Sequence, residues 1–334
     1  MDIKLPNDGK VVALSGGIGG AKLVLGLSRV LAPGCLTVVA NTGDDFEHLG
    51  LSISPDLDTV LYTLGGVADP IKGWGRSGET WTFMKALESL GGPTWFQLGD
   101  SDLATHVERT RRLAAGETLS TIIDDFRGRL GIASRLLPMS DDPVRTQVRT
   151  AKGWTDFQDY FVRLQCEPAL LAIEFSGVGS ARPQPLVLEA LTDPALRAVV
   201  ICPSNPLISI EPILAVPGMR GALATCRAPV IAVSPIIGGK AVKGPTAKML
   251  SDLGSAIDAI AVARRYQDIL DGYVIDTVDA ADAAALSIPV AIVPILMMTL
   301  EDRENLARAV VDFADRLSAA KIARLEGRTG DEVS

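Results

Sequence analysis

The chain has 334 residues, 47% of them hydrophobic and 22% charged, with a formal net charge of −8. That length suits one large α/β domain carrying an insertion, and the acidic balance excludes a general nucleic-acid binder, because phosphate backbones need a basic surface. A small phosphorylated ligand remains open to it, since that needs only a nest of backbone N–H groups and one or two cations.

The N-terminus, MDIKLPNDGK, is polar and does not read as a signal peptide. Residues 11–14 form an apolar run that ends at Ser15 and a glycine cluster. A helical pattern follows, with Leu23, Val24, Leu27, Val30 and Leu31 on one face, and Pro33-Gly34 stops it. Residues 36–40 form a second apolar run without polar alternation, as in a strand covered on both faces. Strand, glycine turn, helix and strand make a βαβ unit and predict a parallel sheet.

Residues 60–165, roughly, recur at helical spacing with charges such as Glu108, Arg109, Arg111 and Arg112 between the apolar positions. They predict a mostly helical insertion over one edge of the sheet, within a single domain spanning 1–334. Strands are expected again at 198–202, 230–233, 273–275 and 290–293, and a further one at 170–175. The apolar stretch 286–300 is short for a membrane span and holds Pro289 and Pro294. Cys35, Cys166, Cys202 and Cys226 show no CxxC spacing, so no zinc site or redox pair is expected. A cytoplasmic protein without a membrane or nucleic-acid partner is the expectation.

Ligands of open parallel sheets bind outside the carboxyl ends of the strands. The loops there are therefore the candidate sites. Ser15-Gly16-Gly17-Ile18-Gly19-Gly20-Ala21-Lys22 fits neither GxGxxG nor GxxxxGK[ST], yet it would offer a helix N-terminus to a phosphate. A tight turn without a ligand is the alternative. Asn41-Thr42-Gly43-Asp44-Asp45 and Ser54-Pro55-Asp56-Leu57-Asp58-Thr59 bring carboxylates in pairs, which suit Mg²⁺ or simple helix caps. In Leu98-Gly99-Asp100-Ser101-Asp102-Leu103-Ala104-Thr105-His106, Asp102 and His106 would share a helix face. Pro138-Met139-Ser140-Asp141-Asp142-Pro143 reads as a rigid loop. Pro203-Ser204-Asn205-Pro206 and the stretch from Ser234 through Gly238, Lys240 and Lys243 to Gly244-Pro245 suit a nucleotide. With two histidines, a hydrolytic triad has little support.

Taken in order, GGIGGAK, NTGDD, SPDLDTVLY, LGDSDLATH, PMSDDPV, PSNP and SPIIGGKAVKGP resemble the 2-phospho-L-lactate transferase family. The resemblance implies a Rossmann-like three-layer α/β/α sandwich with a helical insertion, forming homodimers. It implies a guanosine-diphosphate-activated phospho-acid as donor, with GMP as leaving group and Mg²⁺ assisting. The acceptor would be the ribityl hydroxyl of the deazaflavin Fo, in coenzyme F420 biosynthesis. On this basis Asp58 is the catalytic residue, as base or metal ligand, and Asp44 and Asp45 are further metal candidates. Fo contacts fall on Asp58, Gln97, Asp100, Asp102, His106, Met139 and Ser140; relatives often carry a basic residue at the position of Gln97. The donor falls on Gly16, Gly17, Gly19, Gly20, Lys22, Ser204, Asn205, Ser234, Gly238, Lys243 and Gly244. The acid carried by the donor stays open between phospholactate, phosphoenolpyruvate and phosphoglycerate. Two other readings are weighed. One is a nucleotide-sugar-binding regulator of the related gluconeogenesis-factor-like group, which LGDSDLATH and PMSDDPV disfavour. The other is a dinucleotide oxidoreductase, which the missing GxGxxG disfavours.

Overall fold

The computed structural model describes residues 9–242 and 244–331, with side chains as far as Lys321. The strands are β1 (Lys10–Ser15), β2 (Leu36–Ala40), β3 (Phe46–His48), β4 (Leu51–Ile53), β5 (Arg135–Pro138), β6 (Arg145–Thr150), β7 (Gly153–Asp156), β8 (Ala172–Ser176), β9 (Leu196–Ile201), β10 (Val230–Val233), β11 (Ile236–Ile237), β12 (Lys240–Ala241), β13 (Gly272–Ile275) and β14 (Val290–Ile292). Seven of them form one sheet in the order β14-β13-β10-β9-β1-β2-β5, and every pairing within it is parallel. The chain builds outward from β1 through β2 to β5, then returns to lay β9 on the other side of β1. The strand order therefore reverses between β1 and β9, where a crevice opens at the carboxyl edge.

Both faces of the sheet are covered. On β1, Val11 and Ala13 point into one core and Val12 and Leu14 into the other, the two-residue alternation of a strand. One core is closed by helices α1 (Gly17–Val30) and α2 (Pro55–Leu64) and by the C-terminal helix Leu300–Asp331. The other is closed by the helices Pro185–Thr192, Glu211–Ala215, Met219–Thr225, Thr246–Asp252 and Ala259–Arg265. This is the Rossmann-like α/β/α sandwich that the sequence predicts. The C-terminal helix is pinned by a buried ion pair, Lys321 Nζ to Asp271 Oδ2 at 2.5 Å. Among the described residues no single helix is long and apolar enough to cross a membrane.

The insertion differs from expectation in its second half. Helices α3 (Thr82–Ser89), α4 (Asp100–Ala114) and α5 (Leu119–Arg129) are present. After them β5 is the edge strand of the main sheet, and β6 pairs antiparallel with β7 and β8. The run at 170–175 thus contributes to this small sheet rather than to the parallel one. Short alternating strands between helices leave too little periodicity to separate from a helical pattern.

Candidate functional site

The loops after β1 and β9 meet at the switch point. Gly17 has φ +61°, a left-handed conformation that glycine adopts without strain. A Cβ on Gly19 would lie 2.4 Å from the Pro203 carbonyl oxygen, so the two loops touch through backbone. The Gly16 N–H donates to Ser204 Oγ at 3.1 Å. The N-cap of α1 is Gly16, which has no side chain to cap the helix; the Asp56 carboxylate accepts from the Gly17 N–H, and residues 16–19 line the crevice. Lys22 Nζ donates to the Met297 carbonyl at 2.8 Å, which holds the α1 lysine against the same wall.

Behind the glycine loop lies a cluster of acids. Asn41 Nδ2 stands 3.0 Å from each of Asp44 Oδ1, Asp56 Oδ2 and the Ile208 carbonyl. An amide nitrogen has only two hydrogens, so three acceptors are more than it can serve. Burial and the repulsion of Asp56 and Asp45 push the Asp44 carboxyl well above its ordinary value, and burial raises Asp56 likewise. Two buried carboxylates short of positive charge fit a hard cation. Among the described residues no set of three or more His, Cys, Asp or Glu side chains closes around an ion. Asp44 and Asp56 are the residues that could hold a hard cation such as Mg²⁺ together with water and phosphate oxygens.

The next wall comes from α2 and α4. Asp58 and Arg109 form a two-point ion pair: Nη1 reaches Oδ2 at 3.0 Å and Nη2 binds Oδ1, with the Arg109 side chain fully buried. Tyr62 Oη donates to Asp102 Oδ1 at 2.6 Å. His106 Nε2 stands 3.3 Å from that same oxygen, one turn along α4. His106 Nδ1 lies 3.5 Å from Arg109 Nη1. His106 Nδ1 also lies 3.7 Å from Asp58 Oδ2, so the imidazole sits between the Asp58–Arg109 pair and Asp102. The Glu79 carboxylate caps the start of α4 by accepting from the Ser101 and Asp102 N–H groups.

These walls enclose a cavity of about 510 Å³, within the range of small-molecule sites. Its polar lining comes from the glycine loop, Ser204, Asn205, Ser209, Ser234 and Thr246. Its apolar lining includes Ile18, Ile208 and Met297 and the aromatic side chains of Tyr62, Trp74, Phe96, Phe157 and Phe161. Phe157 and Phe161 stack with centroids 5.5 Å apart and planes 7° from parallel. Asp44, Asp56, Asp58 and Asp102 line the same cavity.

Of the residues singled out from sequence, Gly16, Gly17, Gly19, Lys22, Asp44, Asp58, Gln97, Asp102, His106, Ser204, Asn205, Ser234 and Gly244 line this cavity. Others have different work. Gly20 is packed against Ser204 and Ser15, where a Cβ would come within 2.4 Å of either hydroxyl. Asp100 caps α3 by accepting from the Thr82 and Phe83 N–H groups. Met139 is core, and Ser140 Oγ donates to the Arg182 carbonyl. The Gly238 N–H binds the Asp279 carboxylate. Asp45 accepts from Ser54 Oγ at 2.7 Å and faces a smaller neighbouring cavity with Arg145 and Gln158. Lys243 lies outside the described residues. Asp58, read from sequence as base or metal ligand, has both oxygens taken by Arg109.

The Phe157/Phe161 pair and Arg109 are not singled out by the sequence, whereas Asp56 is, within the carboxylate pair of the loop 54–59. Asp56 stands in the same loop as Asp58, two residues earlier, and only the fold shows which of the two faces the glycine loop. The aromatics fall in a segment read as helical cover, and Arg109 among the charges between its apolar positions.

The chain is similar over most of its length to known proteins. The family model described as 2-phospho-L-lactate transferase CofD matches residues 11–293. A protein named phosphoenolpyruvate transferase from Kitasatospora aureofaciens is 44% identical over 318 residues, covering 92% of this chain and 98% of that one. One of the same name from Streptomyces griseus subsp. griseus is 42% identical, covering 93% and 100%. Among solved structures, a UPF0052 family member from Bacillus halodurans superposes with a TM-score of 0.62 at 14% identity, covering 91% of this chain and 99% of that one, a likeness of fold.

Proposed function

The chain belongs to the 2-phospho-L-lactate transferase family and is a transferase of coenzyme F420 biosynthesis, and on that premise we propose the reaction it performs. It moves the phospho-acid of a guanosine-diphosphate-activated donor to the terminal ribityl hydroxyl of Fo, forming a phosphodiester and releasing GMP. The acid is phosphoenolpyruvate, a choice favoured by the names of its relatives. One observation carries the reading. A phosphate-type helix N-terminus, an aromatic lining and a group of carboxylates share one cavity. A diphosphate fits the first, a flat heterocycle the second.

The roles follow from chemistry. The α1 N-terminus and Lys22 take the donor's phosphates, and Ser204, Asn205, Ser234 and Gly244 line the path of its nucleoside. Asp44 and Asp56 hold Mg²⁺, which when bound offsets charge at the diphosphate. The aromatic lining, with Gln97, orients Fo so that its hydroxyl meets the phosphorus in line. Asp58 positions α4 through Arg109. The protein acts as a cytoplasmic homodimer.

Two ligands in one cavity make a simple test. GDP and Fo should bind one chain simultaneously, each measured by fluorescence or calorimetry in the presence of the other. Mutual exclusion would mean that the two linings do not serve donor and acceptor.

A further inference from the structure

The transfer just proposed requires a group to take the proton of the attacking hydroxyl, and this inference rests on that reading. Each carboxylate in the cavity has a different set of commitments. Both oxygens of Asp58 are closed by Arg109. Asp44 and Asp56 share the Asn41 amide beside the glycine loop, where the donor's phosphates would lie. Asp102 differs. One oxygen, Oδ1, is fixed by the Tyr62 hydroxyl at 2.6 Å and approached by His106 Nε2 at 3.3 Å. The other, Oδ2, has no hydrogen-bond partner among the described residues. The side chain lines the cavity beside Trp74, Phe96 and Gln97, on the acceptor side.

A base needs a fixed carboxylate, an open oxygen and an ionised state at neutral pH. The first comes from the Tyr62 hydroxyl, which anchors Oδ1 as an orienting group anchors the base of a catalytic pair. His106 packs between Asp102 and Arg109, and Arg109 is held by Asp58. Burial would raise the Asp102 carboxyl, but hydrogen bonds and charge from His106, with Tyr62 and Arg109, more than offset it and hold it below its ordinary value. A weakly basic carboxylate suffices in phosphoryl transfer, where the loose transition state leaves the proton on the nucleophile until late.

We propose that Asp102 is the catalytic residue that receives the proton of the acceptor hydroxyl, with Tyr62, His106, Arg109 and Asp58 as positioning residues. The O–H bond breaks and its proton passes to Asp102 Oδ2. The oxygen bonds to the phosphorus that bears the phospho-acid. The bond from that phosphorus to the oxygen of GMP breaks, and GMP leaves with the electron pair. Asp102 then gives its proton to solvent.

The test uses the full chain with Mg²⁺, Fo and guanylated phosphoenolpyruvate. Asp102→Asn should lower turnover at saturating substrates by about 10²-fold or more, with the Fo dissociation constant little changed. Asp102→Ala should regain turnover with added formate, a response that a merely structural carboxylate would not give. Tyr62→Phe, which frees Oδ1 but keeps the ring, should lower kcat more than it raises KM. Parallel melting curves check that each variant folds. If Asp102→Asn turns over normally once Fo saturates, with only its Fo affinity lost, Asp102 is an anchor and the proposal fails. Absence of formate rescue in a folded Asp102→Ala variant also overturns it. No turnover by the parent chain would instead overturn the reaction proposed above, so the two failures are distinct.

Discussion

Arg109, with no solvent-exposed side-chain surface, grips both oxygens of Asp58 across the junction of α4 and α2. A guanidinium this buried is stable only while its carboxylate is present, and the carboxylate is in turn occupied. Asp58→Ala should therefore act first on stability, costing about 3–5 kcal/mol, because it strands a buried charge. Adding Arg109→Met should recover much of that loss. Thermal unfolding of the two single variants and the double variant checks the coupling. Additive losses would mean that the pair contributes no such interdependence.

The metal prediction falls on Asp44 and Asp56. Asp44→Asn and Asp56→Asn should each weaken Mg²⁺ binding in the presence of GDP by an order of magnitude or more, read by calorimetry. Asp45→Asn should weaken it far less, because Asp45 faces the neighbouring cavity. EDTA should abolish turnover of the parent chain. An Asp56→Asn variant with parent-like Mg²⁺ affinity would remove Asp56 from the site.

The same acids predict how metal-free stability depends on pH. Burial pushes Asp45 up to about 7, and Asp44 and Asp56 also lie above the ordinary value of 3.8. A carboxyl with a raised folded pKa binds its proton more tightly folded than unfolded. Its stabilising protonation is fully present below about pH 4 and is lost as pH rises through about 7. The melting temperature of the EDTA-treated protein should fall between pH 5 and pH 8, and Mg²⁺ with GDP should flatten that fall. A metal-free melting temperature that rises over this window would contradict the burial of these charges.

Lys321 makes a prediction far from the cavity. Its ammonium meets Asp271 in the core, where both side chains are nearly solvent-free. Lys321→Ala should cost about 3–5 kcal/mol by breaking this buried ion pair. Truncation before Lys321 should cost at least as much. Urea midpoints of both proteins provide the check.

The sheet was largely legible because its strands are apolar runs ended by turn residues. Residues 11–14 and 230–233 read as short apolar strands and 36–40 as a strand covered on both faces, and β1, β10 and β2 occupy them. The crevice was legible too, since ligand loops of such sheets follow strand ends. Three things were not. The strand β5 is short and follows three helices, so its pattern merges with theirs. Arg109 looks like its neighbours Arg111 and Arg112 in sequence, yet only Arg109 faces inward, a fact set by the angle at which α4 packs. Asp56 and Asp58 stand two residues apart at the start of α2, and helical geometry turns them to different partners: Asp56 to Asn41 and Asp58 to Arg109.

Mass spectrometry of the products after incubation with Fo, Mg²⁺ and guanylated phosphoenolpyruvate, phospholactate or phosphoglycerate asks whether one cavity unites an activated donor with a deazaflavin alcohol. Equimolar GMP and the phosphodiester of Fo are expected, formed fastest with the phosphoenolpyruvate donor. A folded, Mg²⁺-loaded protein that consumes none of the three donors in the presence of Fo would rule the transfer out.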